Sequence, residues 1–177
     1  MKPPITFETE RMILRIPLVS DAQEIFDAYA SDPEVARFML WRVNKTVSEV
    51  EGFLKRCQAV WEHESGFPYV IILKETGQLI GMFEIHPAGH RIELGYVFAR
   101  SQWGKGLASE VTRAVVAWGL AQAGIFRVQA TCDTENGASA RVLEKSGMVR
   151  EAVLRRYSIR PALGDEPRDS YLYAVVK

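Results

Sequence analysis

Residues 100–110 read Arg-Ser-Gln-Trp-Gly-Lys-Gly-Leu-Ala-Ser-Glu, and two glycines, Gly104 and Gly106, stand where a helix begins. Glycine in a helix costs about 1 kcal/mol relative to alanine, so its place here needs a reason. Downstream, Leu107, Val111, Ala114, Val115 and Trp118 recur at helical spacing, which predicts a helix to about Ala123. Upstream, Ile92 to Phe98 reads as a strand. A glycine-rich connection from strand to helix presents bare N–H groups and the positive end of the helix dipole, which suit a phosphate. The absent Cβ lets a ligand approach the backbone, and Lys105 adds a positive charge. The alternative is a plain tight turn. The stretch is not a P-loop, because Gly106 rather than Ser or Thr follows Lys105, and the spacing of a dinucleotide fingerprint fails.

Before this stretch lie a first strand (residues 7–16), a helix opened by Ser20 with Gln23 as a capping box, and a short helix at Asp32-Pro33. A longer helix starts near Thr46, boxed by Glu49, with Val50, Phe53, Leu54, Cys57 and Trp61 on its apolar stripe. Strands follow at 69–73 and 79–86, the second ending at His86. After the glycine-rich stretch come a strand to Cys132, a helix from Asn136 to Ser146 ended by Gly147, and strands at 148–159 and 170–176. This order predicts an α+β fold with a mixed sheet of about seven strands and helices on both faces.

The 177 residues suit one domain, 1–177, and 47% hydrophobic with 25% charged residues is the make-up of a globular protein. Lys plus Arg equals Asp plus Glu at 22 each, so no overall basic field points to nucleic acid. No apolar run reaches the length that spans a membrane, and Met1 to Ile5 has no signal-peptide stretch. Two cysteines, Cys57 and Cys132, imply no disulfide framework, and the expected location is cytoplasmic. Three histidines without a dense ligand cluster argue against a metal site.

The segment from Glu93 to Phe98, followed by Trp103-Gly104-Lys105-Gly106-Leu107-Ala108-Ser109-Glu110, resembles the acetyl-CoA signature Q/R-x-x-G-x-G/A of the GCN5-related N-acetyltransferase (GNAT) superfamily. Trp103 takes the first position, Gly106 the glycine and Ala108 the last small residue. Tryptophan at the first position is similar to the ribosomal-protein N-terminal acetyltransferase subgroup. Thr9 to Arg15, Asp32-Pro33-Glu34-Val35, Asn136 to Met148 and Asp169 to Tyr173 resemble that subgroup's other boxes, in order along the chain.

The resemblance implies a mostly antiparallel sheet splayed between strands 4 and 5, and acetyl transfer from acetyl-CoA to an amine. The acceptor is expected to be a protein N-terminus, or alternatively a small amine such as an amino acid, polyamine or antibiotic. A non-catalytic acyl-CoA sensor is the rival of another class. The chain would act as a monomer or homodimer, without nucleic acid or membrane. Backbone amides from Gly104 to Ala108, with Ser109, would hold the diphosphate, and Arg100 and Lys105 would add charge. N–H groups of Tyr96, Val97 and Phe98, at a bulge near Gly95, would face the acyl oxygen and pantetheine. Glu93 is the first choice of base, followed by Glu84, with His86 on the same face. The tyrosine that many members use to protonate the thiolate is replaced here by Leu143, so Ser139 is the expected donor, with Tyr157 and Tyr171 as alternatives. Asn136 is either a pantetheine ligand or a helix N-cap. Cys132 is read as packing rather than as a nucleophile, and Trp41 as a contact for the acceptor.

Overall fold

A computed structural model describes all 177 residues. Its strands are β1 (Thr6–Glu8), β2 (Met12–Arg15), β3 (Phe67–Leu73), β4 (Leu79–Ala88), β5 (Arg91–Phe98), β6 (Arg127–Asp133), β7 (Val149–Ile159) and β8 (Pro167–Val176). They form one sheet in the order β1-β2-β3-β4-β5-β6-β8-β7. Every neighbouring pair is antiparallel except β5 and β6, which run parallel. The helices are α1 (Ala22–Ile25, continued by a π-helical turn, Phe26–Ala30), α2 (Pro33–Ala36), α3 (Val47–Glu62), α4 (Leu107–Ala121) and α5 (Gly137–Lys145).

Strand alternation divides the core in two. Ile71, Phe83, Ile85, Ile92 and Leu94 pack in one cluster with Leu107, Val111 and Val115 of α4. Val70, Leu79 and Met82 point the other way, onto Ile25, Val50, Leu54 and Cys57 of α1 and α3. Helices thus cover both faces, which is why β3 (Phe-Pro-Tyr-Val-Ile-Ile-Leu) is apolar almost without interruption. Burying each Leu, Ile or Val side chain contributes about 1.5–3 kcal/mol.

The architecture is the expected α+β fold, with eight strands rather than about seven. The stretch read as one strand, 7–16, is a hairpin: Thr9 N donates to Met12 O (2.9 Å) and reverses the chain. Phe7 and Leu14 pair across it, so two strands in succession mimic one. The strands read as fourth and fifth are therefore β5 and β6. The Ser20–Gln23 box does not form. Asp21 holds that end instead, its Oδ2 accepting from Leu18 N (2.8 Å), while Arg15 grips both of its oxygens. The short helix expected at Asp32-Pro33 forms, capped by Asp32, and Thr46 caps α3 as expected. Glu49, however, accepts from Lys45 N (2.7 Å), not from Thr46.

Candidate active site

β5 and β6 pair only at Arg91–Arg127, Ile92–Val128 and Glu93–Gln129. Beyond that point β5 stays with β4 as far as Phe98, and β6 stays with β8 as far as Asp133. The two strands therefore part. Ala99 N donates to Ile80 O (2.8 Å). By the alternation of an antiparallel pair, Val97 then turns its N–H to Met82, whereas Tyr96 and Phe98 turn theirs toward the gap. The expectation for Val97 is corrected accordingly. No register shift occurs at Gly95; the irregularity lies between β3 and β4, where Ile80 is the extra residue. Gly95 instead leaves room for Glu84, whose Oε2 lies 3.9 Å from where a Cβ would stand.

The chain then makes the glycine-rich loop. Gly104 (φ 76°) and Gly106 (φ 78°) are left-handed, which side chains with a Cβ resist. No amide of residues 104–109 donates to a protein acceptor. Six adjacent N–H groups thus surround the N-terminus of the 15-residue α4. Arg11 holds the loop, donating from Nη1 to Lys105 O (3.0 Å) and from Nε to Glu110 Oε2 (2.7 Å). Glu110 is partly buried, yet bonds from Thr9 and Arg11 keep its pKa below the ordinary value. The Trp103 indole donates to Phe98 O (2.9 Å) and ties the loop to β5.

A groove of about 400 Å³ runs over this loop, lined by Trp103, Gly104, Gly106, Leu107, Ala108 and Ser109, with Asn136 and Ser139. The Leu107 side chain itself belongs to the core. Lys105 and Arg100 do not line the groove: Lys105 donates to Gln102 (3.0 Å), and Arg100 pairs with Asp32 (3.1 Å). Its cations are Arg37, Arg141 and Lys145, which sequence reading missed. The 137–145 helix spacing brings Arg141 and Lys145 onto one face.

A larger cleft, about 1310 Å³, opens against α1 and α3. Glu84, His86 and Glu93 line it together, since His86 stands opposite Glu93 and Glu84 opposite Gly95. His86 Nε2 lies 2.9 Å from Glu84 Oε2. That bond raises the imidazole above its ordinary pKa, against the opposing effect of burial. Trp41 lines the cleft, and so does Phe38. Trp61 is core, set edge-on to Phe67 and Tyr69.

Groove and cleft share Phe38, Met39, Tyr96, Val97, Asn136 and Ser139. At this junction Tyr96 Oη lies 2.8 Å from Ser139 Oγ, spanning the gap between the parted strand and α5. Burial pushes the Tyr96 phenol well up, so it stays protonated. Asn136 caps α5, its Oδ1 accepting from Ser139 N (3.1 Å), which leaves its amide nitrogen available. Leu143 is fully buried. Tyr157 borders the cleft, while Tyr171 lies under Arg150 and lines neither space. Burial pushes the Cys132 thiol up to about 11, against a hydrogen bond from Ser139, so it is a poor nucleophile near neutrality. No three His, Cys, Asp or Glu side chains come together as a metal site, and no helix is long and apolar enough to cross a membrane.

The Acetyltransferase (GNAT) domain family matches residues 11–149, and the chain belongs to that family of acetyltransferases. It is 32% identical to the uncharacterized N-acetyltransferase YoaA of Bacillus subtilis over 173 residues, 96% of each chain. Among solved structures it is similar to a GNAT-family acetyltransferase from Bacillus anthracis (29% identity, TM-score 0.82, covering 97% of this chain and 98% of that one). It is also similar to Mycobacterium smegmatis RimJ in complex with CoA-disulfide (26% identity, TM-score 0.85, covering 99% and 90%).

Proposed function

We propose that residues 1–177 act as one domain that transfers the acetyl group of acetyl-CoA to a primary amine, an N-terminal α-amine of a protein. The observation that carries this reading is the meeting of groove and cleft at Tyr96, Asn136 and Ser139, inside the parted strands. The unpartnered amides of residues 104–109 fit a diphosphate, and RimJ of M. smegmatis, similar in fold and sequence, is described in complex with CoA-disulfide. Acetyl-CoA, when bound, supplies the activated thioester.

In this reading the 104–109 amides and the end of α4 hold the diphosphate, with Arg37, Arg141 and Lys145 beside it. The Tyr96 and Phe98 N–H groups, turned to the gap, stabilise negative charge on the acyl oxygen; one such donor is worth about 3 kcal/mol of barrier. An α-amino group has a pKa near 8, and Glu93, seconded by Glu84 with His86, takes its proton. Ser139 Oγ, backed by the Tyr96 hydroxyl, delivers a proton to the leaving sulfur. Asn136 Nδ2 orients the pantetheine arm.

The cleft, about 1310 Å³ together with its junction to the groove, leaves room for an extended chain terminus. The Trp103-Gly104-Lys105-Gly106 likeness to the ribosomal-protein subgroup supports a protein N-terminus. A second reading is a small amine, such as an amino acid, polyamine or antibiotic. Thiol release from acetyl-CoA, measured with N-terminal peptides and small amines side by side, tests the choice. Turnover on peptides is expected. Turnover confined to small amines selects the second reading, and acetyl-CoA binding with no turnover on any acceptor refutes both.

A further inference from the structure

Three buried polar side-chain atoms in the whole chain lack a hydrogen-bond partner, and two of them, Arg160 Nε and the Tyr29 hydroxyl, belong to residues lining the larger cleft. Arg160 is 6% exposed and Tyr29 is 3% exposed. The π-helical turn that carries Tyr29 is itself unusual backbone of a kind often found at functional sites. Arg160 makes no ion pair. The nearby acid, Asp133, is 1% exposed and already held by Arg168 Nε at 2.8 Å. Burial lowers the Arg160 pKa while Asp133 and Cys132 oppose this, and a guanidinium stays charged in proteins. A permanent cation therefore sits in the cleft wall without a direct partner, compensated only at a distance by Asp133. A buried charge so weakly compensated is costly, and a ligand that supplies the opposite charge reduces that cost.

Arg160 follows β7, on the β6–β8–β7 side of the gap, whereas Glu84 and Glu93 stand on β4 and β5. The cleft thus has Glu84 and Glu93 on one bank, where an amine would lose its proton, and on the other Arg160 beside Asp133, whose carboxylate Arg168 already holds. We infer that Arg160 receives a carboxylate of the acceptor, so that the acceptor is an amine with a carboxylate near it. A single buried cation matches the single charge of a carboxylate better than a phosphate dianion, and the planar fork binds two oxygens at once. The carboxylate is either an acidic side chain in the first residues of a protein or the α-carboxylate of a free amino acid. The inference rests on the acetyltransferase reading of this cleft.

Matched acceptors test it: amino acids against their α-amides, and N-terminal peptides with Asp or Glu at the first two positions against their Asn and Gln counterparts. The carboxylate member should show at least about tenfold higher kcat/KM, since a site built to pair a polar group rejects analogues lacking it. Whichever pair shows the preference identifies the source. R160Q should erase the preference and R160K should restore part of it, with acetyl-CoA affinity by calorimetry unchanged. R160M should melt no lower than the parent, because it removes a charge without a direct partner. Equal rates within every pair, a preference that survives R160Q, or a lower melting point for R160M would overturn the assignment. Tight acetyl-CoA binding without turnover on any carboxylate acceptor also overturns it, provided other amines are acetylated. Absence of acetyl-CoA binding would instead remove the underlying transferase reading.

Discussion

The groove over α4 and the cleft over α1 and α3 meet at one junction but are built from different materials. The groove is edged by main-chain amides, the run from residue 104 to 109 having no acceptor within the protein. The cleft is lined by side chains: Glu84, His86, Glu93, Trp41 and Arg160. Main-chain donors are the same whatever the side chains are, so a groove made of them suits a ligand that never changes. Side chains vary freely, so on the proposed reading a cleft made of them would set which acceptor is used.

The largest effect is expected where the two regions touch. Ser139→Ala should lower kcat about a hundredfold, the lower end of general acid–base contributions, with little change in acceptor KM. Tyr96→Phe should lower it less, by about tenfold. A fall in acetyl-CoA affinity with kcat intact would instead place Ser139 in the groove alone.

In the groove, Gly106→Val forces a β-branched residue into left-handed backbone, a cost of about 2 kcal/mol, and should weaken acetyl-CoA binding by calorimetry about thirtyfold. Lys105→Ala should change it less than about threefold, because that side chain is turned to Gln102. If Lys105→Ala proves the more damaging, the contrast between main-chain groove and side-chain cleft fails.

The smallest effect belongs to the cleft. The folded pKa of His86 is raised by Glu84, so the pair's stabilisation is full below the unfolded value of about 6.5 and is lost as pH rises through the folded one. Both side chains are partly exposed (45% and 35%), and solvent screening holds the effect under about 1 kcal/mol. Glu84→Gln should therefore narrow the stability gap between pH 6 and pH 8, measured by urea denaturation, and lower the His86 titration midpoint seen by NMR. A gap that widens would contradict the sign.

Short-range features were readable along the chain. Asp32, Thr46 and Asn136 cap helices through bonds to amides two or three residues on. Gly104 and Gly106 announce left-handed backbone, and the period-two and 3.6 patterns locate strands and helices. Misreadings came from local patterns that are locally ambiguous. Residues 7–16 alternate equally well as one strand or as a hairpin, and beside Ser20 it is Asp21 that reaches back to Leu18 N.

The sequence alone determined that a bare-backbone loop opens a helix beside a strand, because that depends on neighbours a few residues apart. Only the tertiary structure decided that Arg11 latches Glu110 across 99 residues and that Tyr96 meets Ser139 across 43. It alone turned the Val97 amide away from the gap and left Arg160 buried without a direct partner. These follow from strand order and from where β5 and β6 part, and chain separation carries no information about either.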